Sequence, residues 1–193
     1  MNALLAEDYV SGLFVDDDLG TFAGTLPLSA VGLKGSALTP YPAIAVSFRT
    51  FSTGCAKPLT CTAEVADSVL QQGQGMHGTF SRADTNNFVV AIGPDFKRGY
   101  TDSVPVSYAD VGMTLAKLLR LDIPQRGHLV GRVMTEALAG GAEPEHVARA
   151  MRSKPAKNGL VTELRYQTVG NTRYFDAAGF AGRTIGLNPP PLR

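Results

Sequence analysis

Several things are scarce in this 193-residue chain, and each shortage narrows what it does. An excess of charge of one sign is missing: 18 basic side chains face 17 acidic ones, for a net charge of +1, and no charge excess points to nucleic acid or a membrane surface. No stretch approaches the roughly 20 apolar residues that span a bilayer. The opening "MNALLAEDYVSGLFVDDDLG" has no basic leader, and Glu7 and Asp8 interrupt its apolar run, so the chain as written carries no export signal. Cysteine is limited to Cys55 and Cys61 in "CAKPLTC". Six apart around a proline, they are spaced for a local disulfide or for two separate thiols, and they lack the tight pairs of a zinc module. There is no phosphate-cradling loop ending in Lys-Ser/Thr, no Gly-x-Ser-x-Gly elbow, no His-Glu-x-x-His and no internal repeat.

What is present is an ordinary globular composition, 44% hydrophobic and 18% charged, with 21 glycines and 12 prolines spread along the chain. Only Pro189-Pro190-Pro191 forms a biased tract. "YVSGLFV" (9–15) predicts a short strand ended by Asp16-Asp17-Asp18, a run that suits a solvated turn better than a cation site. In "PAIAVSFRTF" (42–51), Ile44, Val46 and Phe48 alternate with polar or small residues, which predicts a strand. "NNFVVAIG" (86–93) is a continuous apolar run, as in strands buried on both faces of a parallel or mixed sheet. "VSYADVGMTLAKLLRL" (106–121) predicts a helix docked on that sheet, with Ser107 as N-cap, Asp110 three residues on, and Val111, Leu115, Leu118 and Leu119 along one stripe. "EPEHVARAMRS" (143–153) suggests a shorter, exposed helix carrying His146 on its surface, and His128 falls in a loop. "GLVTELRYQTVGNTRYFDAAGF" (159–180) predicts a hairpin turning at Gly170-Asn171.

The stretch "QGQGMHGTFSRADTNNFVVAIGPDF" carries the chemistry worth following. Imidazole is the commonest metal ligand, and a glycine beside His77 lets the backbone approach a cation or phosphate closely. No second His or carboxylate stands at a local spacing that completes a zinc site. Arg82 and Asp84 follow in "SRAD", where they suit either a role orienting the histidine or meeting a substrate oxygen, or an ion pair in a turn.

Three segments in order, "GQGMHGTFSRADTNNFVVAIGPDFKRGY", "PVSYADVGMTLAKLLRL" and "GRVMTEAL", resemble the C-terminal part of the catalytic domain in the alkaline phosphatase superfamily, in its type I phosphodiesterase and nucleotide pyrophosphatase-like branch. The resemblance covers roughly residues 9 to 139 and implies an α/β fold: a partial alkaline-phosphatase-like mixed sheet flanked by helices, here followed by a C-terminal β-hairpin. It divides the chain into 1–140, part of the catalytic domain, and a 141–193 extension. It implies a two-zinc transfer of phosphoryl or sulfuryl groups on small ester substrates, with His77 as one ligand. The chain departs from the family in having only three histidines, none preceded by Asp, so the family's Asp-His-Gly, its other ligands and its Thr or Ser nucleophile have no counterpart. The expectation is therefore a C-terminal piece of a phosphoric ester hydrolase, inactive alone and completed by an N-terminal half. The same scaffold serves sulfatases, and a binding or structural module that lost the chemistry is the alternative. Exported relatives imply a periplasmic or secreted complete protein if a signal peptide precedes it, and a cytoplasmic one otherwise.

Overall fold

A computed structural model describes residues 1–35, 42–65, 71, 74, 79–124, 127 and 129–187. The chain is mixed α/β, with three small sheets and few helices. It forms two compact units: unit 1 is Met1–Asn87, Ala150–Arg165 and Phe175–Arg193, and unit 2 is Phe88–Arg149 and Tyr166–Tyr174. The expected 141–193 extension thus contributes to both.

Unit 1 is built around β1 (Val10–Val15), all six of whose residues are buried. That is the fate of a continuous apolar strand covered on both faces. β1 lies between β2 (Leu26–Pro27), to which it is parallel, and β3 (Ile44–Phe48), to which it is antiparallel. Leu13, Val10 and Phe180 are fully buried and pack with Ala156 and with Leu5 of the short helix α1 (Asn2–Ala6), while Ile44 and Val46 press on the same cluster from β3. Sequence-distant segments are sewn to it by hydrogen bonds. The Thr162 hydroxyl donates to the Gly24 carbonyl (2.7 Å), and the Arg183 guanidinium donates to the carbonyls of Glu7 (2.7 Å) and Val10 (2.9 Å). After β1, Lys34 bridges Asp16 (2.5 Å) and Asp18 (2.6 Å), and Asp17 accepts from the Ser29 amide (3.1 Å), so the triple-Asp run is a turn tied down by its neighbours.

A second sheet pairs β4 (Thr50–Ser52) with β5 (Thr62–Glu64), and Cys55 and Cys61 close its connection as a disulfide, resolving the two alternatives for that pair. The third sheet has the order β6 (His146–Arg152), β7 (Thr162–Val169), β8 (Thr172–Phe180), and its strands run through both units. β7 and β8 meet at Gly170-Asn171, the expected two-residue turn, with Gly170 at φ 54°.

Three local expectations are corrected. Residues 143–153 hold the strand β6, not a helix. The Ser153 amide donates to the Thr162 carbonyl (2.9 Å), and Arg152 pairs with the buried Glu163 (2.5 Å). Val147 and Met151, the two half-buried apolar residues of the strand, are four apart, a spacing shared by a helix stripe and a strand face, so pairing with β7 decides the outcome. Residues 86–93 form no strand. Phe88, Val90 and Ile92 are 80%, 82% and 97% exposed, and no described strand pairs with them. Finally, α3 (Tyr108–Leu118) forms where expected, with the Asp110 carboxylate accepting the Ser107 amide (2.8 Å), but it buries its polar side. Asp110 also accepts the Arg132 amide (2.8 Å) and the Thr114 hydroxyl accepts the Met134 amide (3.0 Å), which holds the 132–134 segment along that side and leaves Leu115 and Leu119 exposed. No helix among the described residues is long and apolar enough to cross a membrane.

Candidate functional site

His77 lies outside the described residues, as do His128 and most of the segment from residue 66 to 78. What is described is the ground at both ends of that segment, all of it in unit 1.

On the downstream side, Thr79 begins a tight structure two residues after His77. Its amide donates to the Asp84 carboxylate (3.1 Å) and its hydroxyl donates to the same carboxylate. The Ser81 amide donates back to the Thr79 hydroxyl oxygen (3.2 Å). Asp84 sits on α2 (Arg82–Thr85), a single turn preceded by the buried Ser81. Such side-chain to backbone bonds are how Ser, Thr and Asp fix a turn that has no ladder of its own. Phe80 anchors the turn to the core. Its ring meets Phe14 of β1 (centroids 5.1 Å) and Phe175 of β8 (6.4 Å), and its carbonyl accepts the Ala178 amide (2.8 Å).

Arg82 is held at both ends. Its amide donates to the Ile185 carbonyl (2.8 Å), and its guanidinium pairs with Asp176 of β8 (3.3 Å), whose carbonyl accepts the Thr85 hydroxyl. Gly186 makes the approach possible: at φ 99°, any Cβ there would collide with the Cβ of Arg82.

On the upstream side, Glu64 ends β5 opposite Thr50. Thr50 is buried, its amide donates to the Arg183 carbonyl (3.0 Å), and its hydroxyl accepts the Ile185 amide (2.8 Å). Ile185 is the residue that receives the Arg82 amide, so Glu64, Thr50, Ile185 and Arg82 form one connected series of strand pairing and hydrogen bonds. Burial, reinforced by the negative charge of Asp84, pushes the Glu64 carboxyl up to about 7. A carboxyl that exchanges its proton near neutral pH is chemically suited to acid–base work. Glu64 carried no signal in the sequence, because neither "TAEVAD" nor its spacing from Asp84 announces that the two meet.

The structure therefore brings Arg82 and Asp84 onto one turn, adds Glu64 and Asp176 beside them, and leaves His146 exposed on β6. Both cysteines are spent in the disulfide, and among the described residues no group of three or more His, Cys, Asp or Glu side chains is placed to hold a metal ion.

Unit 2 contains a different polar cluster. Arg132 donates two bonds to Glu136 (2.8 and 2.5 Å), one to the Tyr174 hydroxyl (2.8 Å) and one to the Pro105 carbonyl (3.0 Å). Glu136 is fully buried, and although burial raises its carboxyl, the Arg132 bonds outweigh that and hold it below the usual range. Burial and the charge of Asp110 push Tyr174 up to about 12, so it remains a neutral hydroxyl that accepts the Arg132 bond. With every polar group satisfied, the cluster is a structural knot.

No family model, curated protein or solved structure matches the chain.

Proposed function

We propose that this chain is the C-terminal portion of a zinc-dependent hydrolase of phosphate esters, related to the phosphodiesterase and nucleotide pyrophosphatase-like branch of the alkaline phosphatase superfamily and sharing its sheet architecture. The observation that carries this is the ordered series of three motifs at 73–100, 105–121 and 131–138, with His77 in the first. The site geometry adds support. Thr79, two residues after His77 in the sequence, is held by the Asp84 carboxylate, and Phe80 packs on Phe14, so the motif runs directly into a fixed turn.

The residues present do not fit a two-zinc centre by themselves. Three histidines, none preceded by Asp, and two disulfide-bonded cysteines leave His77 as the one ligand the motif supplies, so the remaining ligands and the nucleophile belong to another polypeptide segment. This chain's own contribution is positional: Asp84 fixes Thr79 and Arg82 fastens the turn to β8. The test is zinc-dependent hydrolysis of an aryl phosphodiester by the chain assembled with its N-terminal complement. His77→Ala is expected to lower kcat/KM by roughly 100-fold or more. Equal rates in the two proteins would refute the assignment.

One observation favours a second reading, a binding or structural module without chemistry: Arg82 and Asp84 are both engaged by internal partners, Asp176 and Thr79. It predicts that zinc leaves the melting temperature of the assembled protein unchanged, whereas a ligand for the native state raises it.

A further inference from the structure

One side chain of unit 1 ties the turn between β6 and β7 to α1. The Asn158 carboxamide donates to the Leu5 carbonyl (2.9 Å), and its oxygen accepts the Leu160 amide (3.3 Å). Leu5 lies in the last turn of α1, where carbonyls have no partner inside the helix, and its side chain belongs to the same buried cluster as Ala156 at the base of the turn. Asn158 is itself exposed and is followed by Gly159, the one Asn-Gly step in the sequence. A glycine leaves its own nitrogen unshielded, so in an open chain Asn158 is the asparagine best placed to lose its amide. In that reaction the Gly159 nitrogen attacks the Asn158 side-chain carbonyl carbon and closes a succinimide, while the amide nitrogen leaves as ammonia with the Gly159 amide proton. Water then adds across one of the two ring C–N bonds, giving aspartate or isoaspartate. In the folded turn every reacting group is engaged: the Gly159 amide donates to the Ala156 carbonyl (2.9 Å), and the carboxamide is held at both its nitrogen and its oxygen.

We propose that Asn158 is a self-modification site gated by α1. While Leu5 is docked, its carbonyl holds the carboxamide in place and the side chain keeps its amide. When α1 lifts, Asn158 converts to aspartate or isoaspartate. The change runs one way, because a carboxylate only accepts hydrogen bonds and the Leu5 carbonyl needs a donor. The converted turn therefore no longer clasps α1. The reaction consumes only water, and it stands or falls independently of the hydrolase proposed above.

The experiment ages the full chain in mildly alkaline buffer, folded and in parallel unfolded in urea, and follows residue 158 by peptide mapping that separates asparagine, aspartate and isoaspartate. Conversion is expected to be roughly tenfold or more faster in the unfolded chain. Ala3→Gly, which weakens α1 at an exposed position, is expected to quicken conversion in the folded chain by roughly fivefold. Asn158→Asp places one product in the turn from the outset. Exchange of the Leu5 and Glu7 amides, which bond to the Met1 and Leu4 carbonyls (3.0 and 3.3 Å), is expected to quicken roughly tenfold in it, with exchange in β1 unchanged. The converted fraction of aged wild-type protein, separated by charge, gives the same reading if that variant folds poorly. No conversion in the unfolded chain would remove the site. A folded-state rate equal to the unfolded one, or indifferent to Ala3→Gly, would remove the gate. Wild-type exchange at Leu5 and Glu7 in the converted protein would remove the clasp, and each of these results overturns the inference.

Discussion

Phe14 in unit 1 and Ile92 in unit 2 are comparably apolar, yet one is fully buried and the other 97% exposed. Unit 1 wraps a central strand with segments drawn from residues 5, 156 and 180, so that its apolar side chains find one another. Unit 2 has a small apolar cluster of Val104, Val169 and Tyr174, an ionic knot around Arg132 and Glu136, and a series of exposed large apolar residues from Phe88 to Val130. Hydrophobicity drives burial only where a partner surface exists. Among the described residues, the contrast separates a unit whose apolar side chains find one another from a unit that leaves many of its own in solvent.

The strongest way to break that contrast is a matched pair of truncations. Phe14→Ala is expected to cost roughly 3–5 kcal/mol of folding free energy by denaturant unfolding, and Ile92→Ala roughly 0–0.5 kcal/mol. Similar costs at the two sites would erase the distinction. Next in size is Glu136→Gln, which leaves the Arg132 guanidinium buried without its counter-charge and should cost roughly 2–4 kcal/mol near neutral pH. The folded carboxyl is held below its unfolded value of 4.5, so its contribution is fully present above that pH and disappears as pH falls through the folded value. Wild type and variant should therefore converge in acid.

Replacing both cysteines by serine should lower stability by roughly 2 kcal/mol, the effect of opening a short loop, with the loss confined to unit 1 in a hydrogen-exchange map. The smallest effect belongs to Glu64. Its carboxyl is raised to about 7 from an unfolded value of 4.5, so the folded state holds the extra proton between those values and stability falls as pH rises from 4.5 to 7. Glu64→Gln should be more stable than wild type at pH 8 by on the order of 1 kcal/mol, after allowance for solvent screening, and equal to it below pH 4.5. A wild-type advantage at pH 8 would show that the carboxylate has a favourable partner.

What the sequence announces and what it hides follow the same division. The strand at 10–15, the turn at Gly170-Asn171 and the cap of α3 rest on local rules, and all three are found. For residues 143–153 and the continuous apolar run at 86–93, local composition reports that side chains want burial but not what will meet them. β6 became a strand because β7 lies beside it, and 88–92 stayed open because nothing described does. In the candidate site, "SRAD" placed Arg82 and Asp84 near His77 by adjacency alone. Glu64 and Asp176 enter through sheet pairing and packing across a long sequence separation, and no local pattern encodes that.

Whether His77 holds zinc in an assembled enzyme decides between the hydrolase and a module without chemistry. Metal analysis of the complex between this chain and its N-terminal complement, wild type against His77→Ala, tests that directly. The expected result is zinc in the wild-type complex and about one ion fewer in the variant, with the two proteins equally folded. Identical zinc content in both, or none in either, would contradict it.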